Sequence, residues 1–174
     1  MISLDQLDSF HADLAQTLRK YKRMAAEEMD PQALRESAGE LDDRRECYED
    51  EVSSDNAKAL LKSAREAVEK MNSGMAKLAA QLRRQASFVR AFKTTYTDNV
   101  TPGGFPDYQR DLAALDLGLN TVKELTQQLM DEVQAARRAL GRRRGGSANG
   151  AARLQSSYWP DSVAAGAEYL RYPY

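Results

Sequence analysis

Apolar side chains recur at alternating steps of three and four along Leu61, Ala64, Val68, Met71, Met75, Leu78, Leu82, Gln85, Val89, Phe92 and Tyr96, with one glutamine among them. Five heptads of that spacing predict a coiled-coil seam, because such a stripe stays on one side of an α-helix and is buried only against another stripe. A second seam runs through Tyr108, Leu112, Leu115, Leu119, Val122, Thr126, Leu129, Val133, Ala136 and Leu140. Between them lies DNVTPGGFP, residues 98–106, whose prolines and glycines break helices. Two long helices on so short a link fold back on each other. The expected framework is therefore a long antiparallel helical hairpin.

The flanking segments extend this framework. Ser3 and Gln6 have the spacing of a capping box, and Leu4, Leu7, Phe10, Leu14, Leu18, Tyr21 and Met24 fill one face behind them. A helix is expected over 3–29, ended by Asp30 and Pro31, which also start the next one. That second helix, 32–52, has a thin apolar signal in Leu34, Ala38, Leu41, Tyr48 and Val52, with Gly39 inside it. Ser53, Ser54 and Asp55 are amino-terminal capping residues for a central helix over 55–97. They favour a bend at 53–55 over one continuous rod from 32 to 97. The last helix is expected over 106–140, with Pro106 in its first turn, Arg137 and Arg138 in its last, and Gly141 after it. Leu117, Leu125 and Met130 lie off its seam and widen the apolar face beyond what a two-helix pair hides. The surplus predicts that helix 3–29 lies against the hairpin, or that a second subunit does. The fold class is all-α: an elongated three- to four-helix bundle over 1–141, followed by 142–174 as a basic, glycine-rich linker and an extended aromatic tail.

Catalysis finds little support. The single histidine, His11, has no serine or cysteine at helical spacing, and one histidine cannot furnish the Glu-x-x-His pairs of di-iron bundles. The only cysteine, Cys47, stands among acids and permits neither an internal disulfide nor a multi-cysteine metal site. No phosphate loop or dinucleotide fingerprint is present, and the glycine pair at 103–104 is turn chemistry. The expectation is a non-enzyme with no catalytic residues, cofactor, metal or small-molecule substrate. No run of eighteen apolar residues occurs and the first ten residues lack the marks of a secretory signal, so a cytoplasmic, non-membrane protein is expected.

Charge is segregated although the net is only −1. Residues 26–55 hold 12 acids and 3 bases, and residues 56–105 hold 9 bases and 3 acids. Opposite fields of this kind serve self-pairing as readily as an outside partner.

Two places concentrate interaction chemistry. At the hairpin tip Arg83, Arg84, Arg90, Lys93 and Arg110 interleave with Phe88, Phe92, Tyr96, Phe105 and Tyr108. Such a mixture grips an acidic protein surface or stacks bases, and it equally caps the end of a core. Phe88, off the seam, is the residue that packing explains least. The tail holds Tyr158, Trp159, Tyr169, Leu170, Tyr172 and Tyr174, and with them five of the thirteen aromatic residues of the chain. That richness predicts a docking segment, in cis or in trans, because aromatic side chains in a tail are repaid only by burial.

The leading expectation is a coiled-coil scaffold, adaptor or structural subunit that works through protein partners or homo-oligomers. A nucleic-acid-binding subunit using the basic face 58–93 and Arg142–Arg144 is the alternative, and the acidic block argues against it. A third reading is a substrate or chaperone of a bacterial secretion system. Helical hairpins with a glycine turn resemble the WXG family in outline, but the turn here reads PGGF, the sole tryptophan is Trp159 and both helices are longer. The chain is not assigned to that family.

Overall fold

The computed structural model describes residues 2–53, 60–96 and 107–145, with the side chains of 143–145 excepted. Among the described residues four helices run up, down, up and down: α1 (Leu4–Arg23), α2 (Pro31–Ser53), α3 (Lys62–Tyr96) and α4 (Tyr108–Gly145). No strand occurs among the described residues. The contacts fix each direction. Asp8 near the start of α1 meets Arg137 near the end of α4, with Nε 2.6 Å from Oδ1. Gln85 of α3 reaches Leu115 of α4, and Phe92 reaches Tyr108. Arg83 of α3 pairs with Asp42 of α2, and Arg44 of α2 stacks 4.3 Å above the Phe10 ring of α1. The α3/α4 hairpin forms one side of an antiparallel bundle, α1 packs on α4, and α2 packs on α3.

Local signals set the first helix. Ser3 Oγ accepts from the Gln6 amide at 3.0 Å and Gln6 Oε1 accepts from the Ser3 amide at 3.2 Å, the reciprocal bonds of a capping box. The helix stops at Arg23, six residues short of the expected 29. A 3-10 turn, Ala26–Glu28, takes its place. It closes the end of the bundle: Ala26 and Met29 are buried, and Lys93 Nζ donates to the Met29 carbonyl at 2.9 Å. Asp30 Oδ1 then accepts from the Gln32 amide and opens α2.

The connection between α2 and α3 departs most from expectation. α2 lies antiparallel along α3, so the two do not form one rod, and residues 54 and 55 of the expected bend at 53–55 lie outside the described residues. Leu60 and Leu61 precede α3, which begins at Lys62 and not at 55, and Leu61 is 52% exposed and no part of the seam. Burial supplies the reason. Leu34, Ala38, Leu41 and Tyr48 form a stripe that a continuing rod would leave in water. The flank of α3 carrying Met75, Ala79, Leu82, Ala86 and Val89 receives it, and the small Ala79 and Ala86 let the helices approach.

The second seam is buried from Leu115 to Leu140, with Tyr108 and Leu112 partly covered at its start. Met130 widens the core as expected and Leu125 is half-buried, but Leu117 is 69% exposed. No helix among the described residues is long and apolar enough to cross a membrane. Residues 54–59, 97–106 and 146–174 lie outside the described residues, and with them Phe105 and the tail residues Tyr158, Trp159, Tyr169, Leu170, Tyr172 and Tyr174.

Candidate functional site

The tip residues divide among three surroundings. Phe92 is buried and belongs to a cluster with Tyr96 and Tyr108, whose ring centroids lie 4.8 and 5.5 Å from its own. Tyr96 and Tyr108 meet edge to face at 5.0 Å. The Tyr96 hydroxyl donates to Asp111 at 2.5 Å, and that bond, with burial and the nearby carboxylates of Asp111 and Asp107, pushes its phenol up to about 12. These three rings bind α3 to α4 at the end of the hairpin. Arg83 turns the other way, its guanidinium 2.5 Å from Asp42 of α2. Burial raises the Asp42 carboxyl, but Arg83 and Arg45 together hold it below its ordinary value. Arg90 is exposed, and its helical position, one heptad beyond Arg83, places it on the α2 side as well.

Arg84 and Phe88 face elsewhere. Arg83 reaches α2 and Arg137 of α4 reaches α1, so α1 and α2 cover one side of the α3/α4 pair. The opposite flanks form an outer face that no helix among the described residues covers. On α3 it carries Lys70, Lys77, Arg84 and Phe88, and on α4 Arg110, Leu117 and Leu125. Phe88 is 53% exposed, and Leu117 adjoins Gly118, against which Gln85, three residues before Phe88, is packed. Arg84 Nη1 donates to Gln81 Oε1 at 3.3 Å and otherwise leans outward.

Between these flanks the two helices come close at two glycines. The carboxylate of Glu132 lies over Gly74, where burial raises its pKa and Lys70 and Lys77 pull it back. Gln85, fully buried, lies over Gly118; its Nε2 donates to the Leu115 carbonyl at 3.0 Å and contacts Met29 Sδ at 3.8 Å. Its Oε1 has no hydrogen-bond partner and points at the place a Cβ on residue 118 would occupy. The pair locks α3 and α4 in register directly beneath the exposed Phe88 and Leu117.

Two features of this face escape a seam-based reading. Leu117 is expected to enlarge the core and instead enlarges the surface. Lys70 and Lys77 stand fourteen and seven residues before Arg84, a spacing visible in the sequence once the covered flank is known. Among the described residues no group of three His, Cys, Asp or Glu side chains could hold a metal ion, and Cys47 is exposed on α2. His11 is half-buried; burial lowers its pKa, and Asp131 and Asp8 oppose the shift. No family model, curated protein or solved structure matches this chain, so its surface chemistry alone bears on what it does.

Proposed function

We propose that this protein is a non-enzymatic helical scaffold, adaptor or structural subunit that acts through protein–protein contacts. One observation carries the reading: Phe88 and Leu117 stand exposed on the outer α3/α4 face, flanked by Lys77, Arg84 and Arg110, while apolar side chains on the inner flanks of the same helices are buried. Both side chains leave more than half of their surface outside the bundle. A large apolar pair rimmed by charge is the composition of an interface centre, where desolvating the apolar part provides affinity and the rim selects the partner. The aromatic tail supplies a second docking element under this reading.

The test compares proteins recovered from the native source by the full chain, by a Phe88→Ser/Leu117→Ser variant and by a chain lacking residues 147–174. Both side chains of the pair are exposed, so the double variant should fold with stability changed by no more than about 0.5 kcal/mol per site. Recovered proteins that depend on the pair support the reading. An identical set from the folded variant and the full chain removes it.

A nucleic-acid-binding role is the second reading, favoured by the column of Lys70, Lys77 and Arg84 on one flank. Phosphate neutralisation would make the affinity for a labelled duplex or single strand fall steeply with salt. Absence of a shift at low ionic strength eliminates it.

A further inference from the structure

Two rows of charge on this bundle have the same pitch and opposite sign. Lys70, Lys77 and Arg84 are exposed, stand seven residues apart and occupy the outer flank of α3. Glu36, Asp43 and Asp50 are exposed, also stand seven residues apart and run along α2 on the side away from Leu34, Leu41 and Tyr48, which face the core. Seven residues of α-helix advance about 10.5 Å, so the two rows match charge for charge when laid together. Within one chain they cannot meet. The acidic row faces away from the bundle, whereas α2 pairs with α3 through its own inner flank, Asp42 to Arg83.

Resting on the scaffold reading above, we propose that the partner of the outer α3/α4 face is a second copy of this chain, which lays the Glu36–Asp43–Asp50 row of its α2 along Lys70, Lys77 and Arg84. Three observations favour this occupant. The charges are complementary and equally spaced. Pairing two α3/α4 faces with each other would set base against base, so a symmetric dimer through that face is disfavoured. Finally, Gly39 sits in the interior of α2 beside the acidic row, in a position that disfavours the helix. Nothing among the described residues demands it, because a Cβ there would meet none of their atoms within 4 Å. A glycine without an internal neighbour on an otherwise charged helix lets another backbone come close.

Glu132 is the internal competitor for Lys70 and Lys77, and it lies half-buried over Gly74 on the inner side of that column. The two lysine side chains are exposed and keep their outer sides for a partner.

The two surfaces differ, so the contact is head-to-tail. After pairing, one copy still presents its basic row and the other its acidic row, and assembly continues beyond the dimer. The pairing of the two rows is electrostatic and makes the contact salt-dependent, because the groups are exposed and screening shortens their reach from about 10 Å at 0.1 M salt to about 3 Å at 1 M.

Sedimentation of the full chain tests the proposal with two neutralised variants. One carries Lys70→Gln, Lys77→Gln and Arg84→Gln; the other carries Glu36→Gln, Asp43→Asn and Asp50→Asn. All six positions are exposed, and circular dichroism establishes that both variants fold. The wild-type chain should exceed twice its 19.4 kDa mass at high concentration and low salt, and return to the monomer as salt is raised. Each variant alone should remain monomeric. Mixed together they should form a dimer of one copy each and nothing larger, since only one acidic and one basic row survive in the mixture. A wild-type monomer at every concentration and salt, a closed dimer, or assembly unchanged in either variant overturns the proposal. Such a failure leaves the scaffold reading to its own test, in which the Phe88/Leu117 variant is compared for other partners.

Discussion

A methyl group added at Gly118 should destabilise the bundle, whereas the same addition at Gly74 should not. A Cβ at Gly118 would collide with Gln85 Oε1 and stand 2.9 Å from its Cδ and 3.3 Å from its Nε2. Gln85 is fully buried and held by the Leu115 carbonyl, so moving it overpacks the interface at about 1–3 kcal/mol and sacrifices a hydrogen bond worth about 1 kcal/mol. Replacing glycine by alanine in a helix returns about 1 kcal/mol. The net loss for Gly118→Ala is about 2 kcal/mol, which for a chain of this size lowers Tm by about 4–8 °C. At Gly74 the clash is with the Glu132 carboxylate, the end of a half-exposed side chain that can swing outward, and Leu129 Cδ1 at 3.3 Å needs to yield only slightly. Gly74→Ala should therefore range from neutral to about 1 kcal/mol more stable. Urea and thermal unfolding followed by far-UV circular dichroism measure both, with Gln85→Ala completing a double-mutant cycle. In the Gln85→Ala background the Gly118→Ala penalty should vanish and turn into a gain. Equal effects at the two glycines, or a penalty that persists without Gln85, would refute the register lock.

Other consequences follow from the titrating groups. With its pKa near 12 against an ordinary 10, Tyr96 favours the protonated, Asp111-bonded state in the fold, so its stabilising contribution is complete below pH 10 and is lost as pH rises through 12. The difference between wild-type and Tyr96→Phe ultraviolet titrations should show one late phenol, and a difference curve centred at pH 10 would contradict it. His11, lowered from 6.5 by burial, stays neutral in the fold at pH 7. Its contribution to stability is present above 6.5 and declines as pH falls through the lowered value. Proton NMR of this single histidine should place its midpoint below 6.5, and His11→Gln should flatten the stability profile in that range. Asp42 is held below its ordinary 3.8, so its contribution survives until pH falls beneath that value. Asp42→Asn should cost up to about 1 kcal/mol at neutral pH, as expected for a partly exposed pair, and a cost unchanged in an Arg83→Gln background would show that the ion pair is not its source.

Periodicity alone determined the helical class, the hairpin of α3 and α4 and the position of nearly every buried side chain on their seams, because a heptad stripe admits one mode of burial. Composition likewise marked the capping box at Ser3, whose bonds are local to one turn. Tertiary structure decided what depends on neighbours. It set the end of α1 at Arg23, because closing the bundle requires Ala26 and Met29 inside. It folded α2 back along α3, since only α3 could hide its thin stripe. It also chose which flank of α4 meets water: Leu117 and Met130 are both off the seam, yet Met130 falls on the covered flank and Leu117 on the open one. A helix's own sequence says how wide its apolar surface is. The placement of other helices says which part of that surface remains for a partner.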